Sequence, residues 1–183
     1  MPGSKFTFAL LVGTALLASS AAGDSCKGDK KSSGDNRAVG AAFERLKKLA
    51  GDWELAAPPE GAPKGQVALR YRVTAGGSAV VETVFPGGDE EMVTVYHRDG
   101  DQILLTHYCM LGNQPQMRAK VVNGSDELFF EFAGGCNIDA AKDKHMHQAR
   151  MRFVDADHLH NEWELFADGK PAGKHTVDLV RKK

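Results

Sequence analysis

From Gly51 onward, apolar and polar residues alternate in short runs broken by clusters of Gly, Pro, Asp and Asn. In 66–73, Val67, Leu69, Tyr71 and Val73 alternate with Gln66, Arg70 and Arg72. Met117, Ala119 and Val121 alternate with Arg118 and Lys120. Leu159, Asn161, Trp163 and Leu165 oppose His160, Glu162 and Glu164, and Val177 and Leu179 oppose Asp178. A strand turns successive side chains to opposite faces, so the first set of each run is expected inside. Turn signals fall at 57–65, 75–77, 86–90, 99–101, 112–115, 123–126, 133–144, 155–157 and 168–172. The segments between them, about five to nine residues each, are rich in Val, Tyr, Phe and Thr, which predicts an antiparallel sheet with hairpin connections. No helix-length periodic segment interrupts them, which disfavours parallel βαβ architecture. About nine or ten strands in meander order would close into an up-and-down barrel and leave no exposed edge. A sandwich is the alternative. Ahead of the strands, Phe43, Leu46 and Leu49 repeat at helical spacing with Lys47 and Lys48 on the other side, predicting a short helix over 39–49 that covers one end.

The chain of 183 residues suffices for one domain with a substantial core, assigned to 39–183. Its net charge of −1 gives no electrostatic case for a nucleic-acid partner. The N-terminus is expected to lie outside the fold. A positive charge within Met1–Lys5, an apolar run from Phe6 to Ala18 and the small residues Ser20-Ala21-Ala22 describe an export signal over 1–22. The apolar run falls short of the roughly 18 residues a membrane anchor needs, so no transmembrane segment is expected after signal removal. Residues 23–38, polar and without periodicity, are expected to form a disordered tether. The protein would then be periplasmic or extracellular, and a monomer. Cys26 stands where a lipoprotein carries its acylated cysteine, although Asp24 departs from the Leu-Ala-Gly type of lipobox. Of the remaining thiols, Cys109 and Cys136 are open to either a disulfide or two free cysteines.

Gly51 and Trp53, placed after the helix and at the mouth of the first strand, give a Gly-x-Trp that resembles the calycin pattern of lipocalins. The runs 91–97 (EMVTVYH), Thr106-His107-Tyr108-Cys109, Gly112-Asn113-Gln114-Pro115 and 153–159 (FVDADHL) are similar to those of a family of uncharacterised bacterial lipocalin-like proteins. The resemblance covers Phe43 to Val180. It implies the barrel and an internal cavity, and lends no settled activity.

Polar chemistry concentrates in Thr106–Met117 and Asp143–His147. His107 shares parity with Ile103, Leu105 and Cys109, the apolar side of its strand, where a histidine is either a hydrogen-bonded structural residue or a ligand. Tyr108 faces the other way unless a bulge intervenes. His145 and His147 share parity with Met151 and Phe153 and point inward if one strand runs through them; if pairing starts only near Gln148 they lie in a loop. Glu82 is either a buried carboxylate between Val80 and Val84 or a solvated one. His97, His158, His160 and His175 fall near turns or on outer faces and are assigned no role.

Two functions follow. In the first, the barrel is a carrier or sensor for a small apolar or amphipathic molecule, with Glu82, His107, Tyr108, Gln114, Met117 and Asn161 as the ligand-binding set. In the second, His107, His145 and His147 hold zinc, or a histidine holds haem as in several lipocalin-like barrels, with hydrolase-type activity in reach. No Gly-x-Ser-x-Gly elbow, phosphate loop or dinucleotide fingerprint occurs, so no catalytic residue is assigned. A third possibility is a barrel filled by its own large side chains, such as Leu69, Tyr71, Phe153 and Trp163, serving a structural role.

Overall fold

The computed structural model describes residues 35–121 and 124–183. The signal, lipidation and most of the tether assignments lie outside them. A helix α1 (Asp35–Lys48) precedes ten strands: β1 (Gly51–Leu55), β2 (Val67–Thr74), β3 (Ala79–Val84), β4 (Met92–Asp99), β5 (Gln102–Tyr108), β6 (Gln114–Lys120), β7 (Glu127–Cys136), β8 (His145–Phe153), β9 (His158–Ala167) and β10 (Lys170–Arg181). Every pairing is antiparallel between sequence neighbours, and β1 pairs with both β2 and β10. The sheet is a closed up-and-down barrel, lipocalin-like in form with its single short helix. No helix among the described residues is long and apolar enough to cross a membrane.

Helix α1 starts at Asp35, inside the stretch expected to be tether. Val39, Ala42, Phe43 and Leu46 repeat at three- and four-residue spacing and are all buried, joined by Leu49 just past the helix. This stripe packs on β2, β4 and β5 and closes one end of the barrel. Arg45 pins the helix from the side: its guanidinium donates to the Ser125 carbonyl at 2.8 Å and the Asp126 carboxylate at 3.0 Å, and lies 4.4 Å from the Phe153 ring centre.

The first and last strands meet at the same end. Trp53, fully buried, donates its indole N–H to the Leu49 carbonyl at 2.8 Å. The Arg181 guanidinium stacks 4.4 Å from the indole and donates to the carbonyls of Lys48 (2.8 Å) and Ala50 (3.0 Å). It thereby satisfies orphan carbonyls at the helix C-terminus. Gly51, at φ 127°, lets this happen: a Cβ there would sit 3.3 Å from Arg181 Nη1, in a backbone region that side chains rarely occupy.

Alternate hairpins place the turns at 75–77, 100, 154–157 and Ser125-Asp126 on the helix-capped end. The connections at 85–91, 109–113, 137–144 and 168–169 lie at the other end, which α1 does not cover. The parity expected from the sequence holds where the ladders are regular: Leu69, Tyr71, Met117, Ala119, Leu159, Asn161 and Leu179 are buried, while Arg70, Arg118, Lys120 and Asp178 are exposed. Four bulges interrupt the ladders. One in β2 frees Ala68 to line the interior and to accept the Phe85 N–H at 2.8 Å. The others lie in β7 opposite Gln116-Met117, in β8 between Met146 and Gln148, and in β10 between Pro171 and Gly173.

Candidate functional site

The barrel is not filled by its side chains. A cavity of about 380 Å³ runs inward from the uncapped end, within the size range of small-molecule pockets. Its wall is chiefly apolar, with Leu69, Val84, Met92, Trp163, Leu165 and Val177 among its lining. Phe85, Met110 and Leu111, which also line it, are 36%, 61% and 46% exposed and form an apolar rim. Glu90 and His175 are exposed cavity-lining residues as well. Among the lining residues there is no lysine or arginine.

The polar groups of the interior come from four neighbouring strands, β2 to β5, and from β9 across the barrel. Glu82 on β3 is 1% exposed and accepts the Tyr96 hydroxyl at 2.7 Å. Burial raises the Glu82 carboxyl above the ordinary carboxylate range, and the Tyr96 and Tyr71 hydroxyls pull in the opposite direction. Burial likewise pushes the Tyr71 and Tyr96 phenols well up, reinforced by the Glu82 charge. Asn161 on β9, 2% exposed, donates its amide to the Tyr71 oxygen at 3.4 Å, while its Oδ1 has no partner. On the β4 side, Thr94 Oγ1 lies 2.9 Å from Nδ1 of His107. His107 is 3% exposed, its ring 4.9 Å from that of Trp163, and burial lowers it from 6.5 to about 4, so it is neutral near pH 7. Asn161 with Tyr71, Glu82 with Tyr96, and Thr94 with His107 thus form three buried hydrogen-bonded pairs. Three members, Glu82, His107 and Asn161, line the cavity.

The rest of the expected ligand set lies elsewhere. Tyr108 ends β5 on the outer face, 52% exposed, because no bulge reverses the parity that sends His107 inward. Met117 is fully buried core, opposite Leu105 and Phe132, and does not line the cavity. Gln114 donates to the Gly112 carbonyl at 3.3 Å and accepts from Asn137 at 3.0 Å, so it ties two loops together. Asn113 works beside it, donating to the Lys144 carbonyl at 2.8 Å, with its main chain accepting the Cys109 N–H. Gly135 permits this closeness: a Cβ there would stand 2.6 Å from the Gln114 carbonyl oxygen. The Gly-Asn-Gln-Pro run is therefore a clasp between the 109–113 and 137–144 loops.

His145 and His147 do not join His107. The β8 bulge removes His147 from the ladder and shifts parity by one, so Met146 takes the cavity-lining position opposite Leu165. The two histidines instead pack with Phe132 and Phe166, and His147 is stacked between the phenyl rings at 4.8 and 3.8 Å. His145 Nδ1 lies 2.8 Å from the Asp143 carbonyl, which only accepts, so Nδ1 carries the proton. In the neutral ring Nε2 then accepts from His147 Nδ1–H at 2.9 Å. Burial, and then the neighbouring His145, hold the His147 imidazole below its ordinary value. Among the described residues, no group of three or more His, Cys, Asp or Glu side chains is placed to hold a metal.

Cys109 and Cys136 are free thiols. Cys109 is buried in the cavity wall, where burial raises its thiol, whereas Cys136 ends β7 in solvent. Sequence parity missed His175. It pairs with Trp163 in the register that turns Val177 and Leu179 inward, and it lines the cavity rather than an outer face. A count of two from Val177 finds it.

Fold and cavity together define a closed β-barrel with an internal pocket and a polar floor. No protein-family model matches the chain, and no curated protein matches it.

Proposed function

We propose that the protein binds a small apolar or amphipathic molecule inside the barrel, as an exported carrier or sensor. One observation carries this: the interior is an apolar cavity with three buried polar groups, Glu82, His107 and Asn161, converging on it. A barrel selected only for stability would fill that volume, because empty apolar space costs contacts. The resemblance to bacterial lipocalin-like proteins agrees with this use, and the export reading rests on the N-terminal signal pattern alone.

The test compares two histidines of opposite address. His107→Ala should weaken retention of a bound apolar probe by about tenfold, a loss of roughly 1.4 kcal/mol. His160→Ala removes a histidine that holds Asp178 at 2.6 Å outside the ladder's inward register, and should leave retention unchanged. Equal effects would refute the cavity as the site. Native mass and absorbance of the purified protein add a direct readout. An extra organic mass supports the carrier, and a Soret band would replace it with haem binding.

A further inference from the structure

The cavity wall carries an acceptor that the protein leaves unpaired. Tyr96 donates its only hydroxyl proton to Glu82. Across the barrel, the Tyr71 oxygen accepts the Asn161 amide N–H at 3.4 Å. Asn161 is then left with Oδ1, buried and without a partner among the protein's groups. Asn161, Glu82 and His107 all line the cavity, and no lysine or arginine lines it with them.

We infer that the occupant is an uncharged apolar molecule whose polar head donates a hydrogen bond, an alcohol in its simplest form, and is not a fatty-acid-type anion. This rests on the binding function proposed above and narrows it. An alcohol supplies the hydrogen that Asn161 Oδ1 does not receive from the protein. A carboxylate brings only acceptors against acceptors, meets no lysine or arginine in the lining, and lies beside Glu82 and Glu90.

Octanol, octanoate and methyl octanoate share a chain and differ in whether the head donates, carries charge, or only accepts. Calorimetric titration of the full chain near neutral pH should show octanol binding about tenfold or more tightly than either of the others. Asn161→Leu should reduce that preference, and the comparison on the unaltered protein stands if the variant fails to fold. Octanoate or the ester binding as tightly as octanol overturns the donor rule while leaving the cavity as a binding site. Failure of all three, with Nile red also excluded, overturns the binding function itself.

Discussion

The neutral state of His107 has a measurable cost in acid. Burial holds this imidazole at about 4 against an ordinary 6.5, and its near neighbours Thr94 and Trp163 carry no charge to offset the loss of solvent. In the unfolded chain the ring protonates first as pH falls, so the unfolded state binds the extra proton and stability drops. The contribution is intact above about pH 6.5, drains as pH falls towards about 4, and is fully lost below that. At about pH 5 the unfolded ring is almost wholly protonated and the folded one mostly neutral, a penalty of about 2 kcal/mol relative to pH 7.5. His107→Gln keeps a donor for Thr94 and cannot titrate. Urea unfolding of both proteins at about pH 7.5 and pH 5 isolates the effect, since every other titrating group is common to both. The wild type should lose about 2 kcal/mol more than the variant, near 1 M in the urea midpoint. Parallel losses would refute a buried, neutral His107.

Glu82 has the opposite sign. Its raised carboxyl makes the folded state hold a proton that the unfolded chain gives up above about pH 4.5, so whatever Glu82→Gln costs at pH 4 should shrink as pH rises to 7 in the same unfolding assay. Arg181→Met removes the stacking on Trp53 and the donors to Lys48 and Ala50, and should cost about 2–4 kcal/mol in thermal unfolding. Loss of less than about 0.5 kcal/mol would mean the barrel closes without this arginine. Asn113→Ala breaks the bond to Lys144 and should speed amide hydrogen exchange across 139–148 by about fivefold, a loss of roughly 1 kcal/mol, with the melting of the barrel as a whole little changed.

Strand order and facing were legible in the sequence because the fold is local: every ladder but the closing one joins neighbours in the chain, and alternation fixes each face. The inward placement of His107 and Asn161 follows from parity alone, whereas Glu82 stayed open because both faces of 79–85 are largely apolar. The histidine pair of β8 could not be read this way, since a single extra residue at His147 exchanges the two faces and leaves no mark in the composition. Gln114 was misplaced for a different reason. Its motif is polar and compact, which suits a ligand site and a loop clasp equally, and only the positions of Asn137 and Lys144 decide between them. Arg181 went unnoticed because it lies 128 positions after Trp53, the residue it covers.

The helix plug makes the barrel a blind tube. With the Leu46 side of α1 closing one end, the uncovered end would, under the proposed function, serve both entry and exit, with Glu82, His107 and Asn161 inside its rim. A guest of the proposed carrier would travel head first past Phe85, Met110 and Leu111 before it is recognised, so rejection would take as long as full entry. Once seated, it would present its tail at the rim. A receiver of such a cargo would meet a hydrocarbon end flanked by exposed apolar side chains, and the chemically distinctive group would leave last.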